Sequence, residues 1–358
     1  MTSKRLQGFQ SRPHRLALLT VTLGRMARQV RRLGLALGAP AILLSTVQGL
    51  IAWSGAGAAD IIHMGLPTKS FQHVIYPIAQ ERRYMEQEGI DLRIVLISPA
   101  PSIQALMTKD LLFTLSGTSA LIARSRSGAP LKVVLAANKQ VLQWVLVRPE
   151  IASPAQLKGK KIATPGIASS STFMTKQALS RHRLEADRDV VFMDPGAGQH
   201  LKALLAGAVD AAIIGAEQRY VALNAGMRQL FFLGDEVNNS WGTLATSERI
   251  MQEESKLLSG FLKATLKALR FIRQHRSPSV QAIAKFSQID QPLAGRVYDD
   301  LFNTFTIDGT VTEEIQRNDL AVISQLTGAT EPMAISRGYD FSFARAADRD
   351  LTKSGWRP

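Results

Sequence analysis

The chain has 358 residues, which at roughly 150 residues per domain sets an expectation of about two domains. Apolar residues make up 46% and charged residues 20%, a balance that builds buried cores and excludes a disordered, collagen-like or polytopic membrane chain. There is no cysteine, so disulfide scaffolds, zinc ribbons, iron–sulfur clusters and thiol nucleophiles are excluded.

The first segment explains most of the basic character. Residues 1–58 hold eight Lys or Arg and no Asp or Glu, so the formal charge of +14 falls to +6 over the remaining 300 residues. No basic stripe is left that argues for a phosphate backbone, and no nucleic-acid partner is expected. A basic stretch ends at Arg31-Arg32, Leu33–Trp53 runs without a charge, and small residues follow from Ser54 to Ala59. Ala56 and Ala58 fit the small-x-small rule for secretory cleavage, so residues 1–58 are expected to be a signal peptide cut after Ala58. The 21 apolar residues are also long enough to span a bilayer, which leaves an uncleaved anchor as the alternative. Gly34, Gly38, Pro40 and Gly49 weaken such a helix. Either way the rest of the chain is expected in the periplasm, because positive charge holds the leader's start in the cytoplasm. Translation from Met26 and twin-arginine export through Arg31-Arg32 stay open.

After the leader, strand and helix patterns alternate. Asp60–Gly65 is a short apolar run suited to a buried strand. Phe71, Ile75, Ile78, Ala79 and Met85 then share one helical face. A strand at Asp91–Ile97, a helix at Ser102–Thr108, a strand at Leu111–Leu115, a helix from Thr118 and a strand at Leu131–Ala137 follow. Val141–Val147 is the next strand, and a second run of the same pattern begins near Ser153, an N-cap followed by Pro154. It continues with strands at Ile162–Thr164, Val190–Met193, Ala211–Ile214 and Leu230–Leu233. Helices running to about His182, at Gln199–Leu205 and at Glu217–Ala225 separate them. From Ser247 the pattern turns helical: Glu248–Gln274, Ser277–Phe286, Gln291–Phe302 and Val311–Gln325. Two α/β units with a helical return predict a discontinuous first lobe, residues 59–146 and 234–358, with a second lobe, residues 147–233, inserted into it. Ligands in such sheets bind where strand ends and helix starts converge, which here is the cleft.

No catalytic set is legible. Gly117-Thr118-Ser119-Ala120-Leu121 starts like a nucleophile elbow but lacks its last glycine. Gly196-Ala197-Gly198-Gln199-His200-Leu201 starts like a dinucleotide loop but has Leu201 in place of the third glycine. The histidines show no metal-ligand spacing, so neither a metal nor a cofactor is expected. Three small-polar clusters remain, each between a strand and a helix: Pro67–Ser70, Ser116–Ser119 and Ala168–Thr172. A helix start carries unpaired N–H groups and partial positive charge, so each is either an ordinary N-cap or a docking point for an acceptor group. Gly117 is expected to let a ligand approach the backbone.

Three longer phrases carry a resemblance. "MGLPTKSFQHVIYPIAQERRYMEQEGIDLRIV", "ASPAQLKGKKIATP" and "LKALLAGAVDAAIIGAEQRYVALNAGMRQL", in this order, resemble the extracytoplasmic solute-binding proteins of ABC importers. The resemblance is to those of the nitrate/sulfonate/taurine-type, thiamine-precursor-like family. The resemblance spans residues 60–330. It implies a two-lobed, type II periplasmic-binding-protein fold, α/β, with a mixed sheet flanked by helices in each lobe. It implies crossings near residues 138–146 and 233–242, a small polar or anionic solute held between the lobes, and release to membrane permease subunits. It also implies a monomer that performs no chemistry on its solute. Carried over residue by residue, it places Thr68, Lys69, Ser70 and Phe71, then Gly117, Thr118 and Ser119, then Ser169, Ser170 and Ser171 in the cleft, and adds Glu217. Ala168 stands where relatives often have glycine. Trp144 and Trp241 lie near the crossings, where they either stack on a ring-shaped ligand or pack the hinge. Lys69 favours an anion, whereas Glu217 favours a cation or an amide. Two other readings stay open: an enzyme resembling the thiamine-pyrimidine synthases on the same fold, and a sensing module tethered by an uncleaved leader. The missing cysteine weighs against the first, and the lack of a signalling segment after residue 330 weighs against the second.

Overall fold

The computed structural model describes residues 59–196 and 198–358. The leader, its expected cleavage site at Ala56 and Ala58, and Ala197 of the glycine-rich turn lie outside the described residues. Two five-stranded sheets organise the rest, in the orders β2-β1-β3-β10-β4 and β7-β6-β8-β5-β9. The first is built from β1 (Asp60–Leu66), β2 (Ile90–Leu96), β3 (Phe113–Thr114), β4 (Leu131–Asn138) and the late strand β10 (Trp241–Ser247). The second is built from β5 (Gln143–Val147), β6 (Lys160–Ala163), β7 (Val190–Met193), β8 (Ala211–Gly215) and β9 (Arg228–Phe232). In each sheet the βαβ part is parallel, β2-β1-β3 in one and β7-β6-β8 in the other. One strand in each runs against it: β10 is antiparallel to β3 and β4, and β5 is antiparallel to β8 and β9. Those are the strands by which the chain enters the second sheet and returns to the first.

The helices used below are α1 (Ile75–Glu81), α2 (Pro99–Thr108), α3 (Gly117–Ser127), α4 (Ser170–Arg181), α5 (His200–Leu205) and α6 (Ala216–Asn224). The return adds α7 (Ser255–Gln274), α8 (Arg276–Ser287), α9 (Gln291–Leu301), α10 (Glu313–Thr327) and α11 (Ser342–Lys353). Among the described residues, no helix is long and apolar enough to cross a membrane.

The core of the first lobe follows from spacing. On α7, Leu258, Phe261, Leu262, Leu266, Leu269 and Ile272 recur every three or four residues and are all buried. Phe261 stacks on Phe113 of β3 at 4.1 Å and on Tyr76 of α1 at 6.0 Å, which pins the return helix to the first sheet. Each such side chain contributes roughly 1.5–3 kcal/mol by leaving water. Trp144 is buried in the second lobe, stacked on Phe232 at 4.6 Å under the Arg219 guanidinium. It packs β5 to β9 and does not line the cleft.

Three elements differ from the sequence expectation. β5 begins at Gln143, two residues after the expected Val141, and pairs along its whole length in the second sheet. β10 was not expected as a strand. Its sequence WGTLATS is rich in hydroxyls, yet Thr243, Thr246 and Ser247 are buried, and Thr246 Oγ1 donates to the Leu112 carbonyl. Side chains that find partners inside a sheet read as loop residues when those partners are unknown. The long helix expected from Glu248 is split after Glu253, and α11 was not anticipated at all. Its buried Ala344, Ala347 and Leu351 form a narrow apolar stripe on an otherwise polar helix.

Candidate functional site

A cavity of about 530 Å³ lies between the two sheets, lined from both. The first sheet contributes the loop after β1, the start of α3 and the first residues of β10. The second contributes the start of β5 and the loop after β6 with the first residue of α4, together with the starts of α5 and α6. Strand ends and helix starts converge there, as the topology requires.

On the first lobe, the loop Pro67–Ser70 runs into a short 3₁₀ turn, Phe71–His73. The loop is braced internally: Thr68 Oγ1 and Ser70 Oγ lie 3.0 Å apart, and His73 Nδ1 donates to the Thr68 carbonyl at 2.8 Å. His73 is buried, and burial pushes its imidazole down to about 4, so the ring is neutral at neutral pH. Ser70 Oγ sits 3.4 Å from the same nitrogen. Because that nitrogen already carries a proton toward Thr68, it cannot take one from Ser70. The pair is a brace, not an activated nucleophile. At the next strand end Ser116 is the N-cap of α3, yet its side chain caps nothing, and its buried Oγ has no hydrogen-bond partner.

On the second lobe, Glu217 lies in the first turn of α6, after the extended Gly215. Its Oε1 accepts from the Phe71 backbone N–H at 2.7 Å and from Ser287 Oγ at 3.2 Å, so this side chain joins the two lobes directly. Removal from water raises the Glu217 pKa, and the hydrogen bonds it accepts work against that rise. His200 begins α5; burial lowers its pKa, and its Nε2 has no partner. Gln143 Oε1, at the start of β5, is likewise buried and unpartnered.

The structure brings Thr68, Lys69, Ser70, Gly117, Thr118, Ser170, Glu217 and Trp241 onto one cavity wall or another. Four expected residues stand elsewhere. The Phe71 side chain is fully buried against Phe305 at 5.0 Å, and only its backbone N–H reaches the lobe junction. Ser119 is one position past the lining residues on α3. Ser169 is the N-cap of α4, accepting from the Thr172 N–H at 3.2 Å. Ser171 is buried under the same helix, its carbonyl taken by Thr175. A helix turns about 100° per residue, so successive side chains of such a run point to different sides, and of Ser169–Ser171 only Ser170 lines the cavity.

Gly117 has a different reason from the one expected. A Cβ there would lie 2.1 Å from Thr243 Oγ1 and 3.0 Å from the Thr243 carbonyl, so the glycine lets α3 pack against β10. Gly117→Ala is therefore expected to cost about 1–3 kcal/mol of folding stability through overpacking. Urea unfolding of the variant checks this, and an unchanged midpoint would refute it.

Sequence reading singled out Ser116 as part of the cluster Ser116–Ser119 but missed Gln72, His73, Gln143, His200, Ser240, Thr243 and Ser287 on the cavity wall. Of these, only Gln72 and His73 had a local signal, since both lie just past the cluster Pro67–Ser70. Ser240 belongs to the return crossing, which is tied down from behind. Asp319 of α10 is buried and accepts from Asn239 Nδ2 at 2.8 Å, Ser240 N at 3.1 Å, Ser240 Oγ at 2.5 Å and Tyr339 OH at 2.9 Å. Trp241 follows immediately, with its side chain on the cavity wall.

Comparison with known proteins agrees with this architecture. The sequence matches no curated protein. The putative periplasmic sulfonate-binding protein SsuA of Methylobacillus flagellatus KT superposes with a TM-score of 0.68 at 13% identity, covering 84% of this chain and 97% of that one. The periplasmic aliphatic sulphonate-binding protein SsuA of Escherichia coli gives 0.65 at 21% identity, covering 78% and 92%. The desulfurization enzyme DSZB gives 0.63 at 14% identity, covering 81% and 99%. The chain thus has the two-lobed periplasmic-binding-protein fold, which both binding proteins and an enzyme use. Residues 70–278 match the family described as NMT1/THI5 like, and the chain belongs to that family.

Proposed function

We propose that the protein is an extracytoplasmic solute-binding protein, which captures a small polar solute between its lobes and delivers it to the permease of an ABC-type importer. The observation that carries this reading is the cleft: a cavity of about 530 Å³ whose polar groups come from both sheets. A solute touching both walls makes its full set of contacts only when the lobes are closed, so binding and closure are coupled. Lobe 1 is residues 59–138 with 241–358, lobe 2 is the inserted 143–232, and the two crossings between them form the hinge. The sulfonate-binding relatives on this fold and the basic, apolar leader support a periplasmic protein that meets a membrane importer. The braced His73, with its proton committed to Thr68, favours binding over catalysis.

The test is a thermal-shift panel of sulfonates, nitrate, carboxylates, pyrimidines and amino compounds, followed by small-angle scattering with any hit. A true solute should stabilise the protein by about 3–4 kcal/mol at a hundred to a thousand times its dissociation constant, and should compact the molecule. A solute that binds away from the cleft, leaving the radius of gyration unchanged, would sink the reading.

A further inference from the structure

The hydrogen-bonding character of the cavity wall narrows the solute. Glu217 forms no ion pair among the described residues; the groups that reach it from the other lobe are a neutral amide and a hydroxyl. Three further polar atoms on the wall are buried without partners: Ser116 Oγ, Gln143 Oε1 and His200 Nε2. Gln143 Oε1 is an amide oxygen, which only accepts. His200 Nε2 is a ring nitrogen left without any partner, in a ring whose pKa burial lowers. Among the described residues, the lining holds a single formally basic side chain besides the histidines, the exposed Lys69. No arginine is among the described residues that line the cavity.

A carboxylate held by neutral donors alone, beside a buried amide oxygen without a partner, leaves a charge and an acceptor that a cationic N–H group would satisfy. An anion placed against Glu217 would meet like charge in a medium that screens poorly. We propose that the solute carries a protonated nitrogen, of the amine or amidine class, which pairs with Glu217 while its remaining N–H groups meet the unpartnered amide oxygen. This inference rests on the cleft being the solute site, and it selects within that reading against simple anions.

Glu217→Gln isolates the charge, because a glutamine Oε1 still accepts from Phe71 N–H and Ser287 Oγ and so keeps the junction between lobes. Calorimetry of the wild-type protein and this variant would use n-propylamine, butyramidine and propane-1-sulfonate, probes of similar length. The amine or the amidine should bind the wild-type protein, and the variant should bind it at least tenfold more weakly. Its melting temperature should not fall. Propane-1-sulfonate as the tightest probe, or an amine or amidine affinity unaltered in the variant, would overturn the inference and leave the importer reading standing. Binding by none of the three would also overturn it. The importer reading would then be judged by the scattering panel alone, where closure by any other solute upholds it.

Discussion

Replacing Asp319 with Asn is expected to cost more stability at pH 4 than at pH 7, with the difference about 2 kcal/mol and rising toward about 3 well below pH 3.8. Burial is the main cause that lifts the Asp319 carboxyl from an ordinary 3.8 to about 6, and its four hydrogen-bond donors are all neutral. A carboxyl with a raised folded pKa stabilises fully below its unfolded value. That contribution is lost as pH rises through its folded value. The window therefore runs from about 4 to about 6. Asparagine has no such titration, so its deficit against the wild type should deepen as pH falls. A shift of two units corresponds to about 3 kcal/mol. His73 works the opposite way. Its lowered pKa of about 4 contributes stability that is full above 6.5 and is lost as pH falls through 4. In the wild-type protein the two contributions offset each other between about pH 4 and 6, and the Asn variant unmasks the histidine. Denaturant unfolding at several pH values measures this. A wild-type-minus-variant difference that stays flat with pH would show that Asp319 ionises in the folded protein as it does in water.

Phe71→Ala should destabilise the protein by about 3–5 kcal/mol, the range for truncating a fully buried phenylalanine. The ring is fully buried beside Phe305, tilted at 45°, under the turn that carries the Thr68–His73 braces. Losing it leaves a cavity beneath the loop that forms one wall of the cleft. The effect should appear in unfolding, because the ring touches core and not cavity. A variant with wild-type stability and lost solute affinity would return Phe71 to the binding surface.

Much of this was legible in order and polarity. Alternating apolar strands and helical periodicity announced two α/β units, because buried parallel strands need continuous apolar runs and their covering helices need one apolar face. The clusters at Thr68–Ser70, Gly117-Thr118 and Ser170 were legible because small polar residues at a strand-to-helix junction mark where backbone donors are left unpaired. The same rule over-reached at Ser169, Ser171 and Ser119. It marks the start of a helix but does not say which side chain of the run faces outward.

Local sequence determined the segments and the places where the chain turns, since apolar periodicity and N-cap chemistry act over a few neighbouring residues. Only the tertiary structure decided what joins them. Glu217 meets Phe71 across 146 positions of chain, and Asp319 meets Ser240 across 79. β10 is a strand because β3 and β4 stand on either side of it, and Gly117 is a glycine because Thr243 lies against it. Such pairings depend on which surfaces the folded chain brings within hydrogen-bonding or van der Waals reach, and no local pattern encodes that.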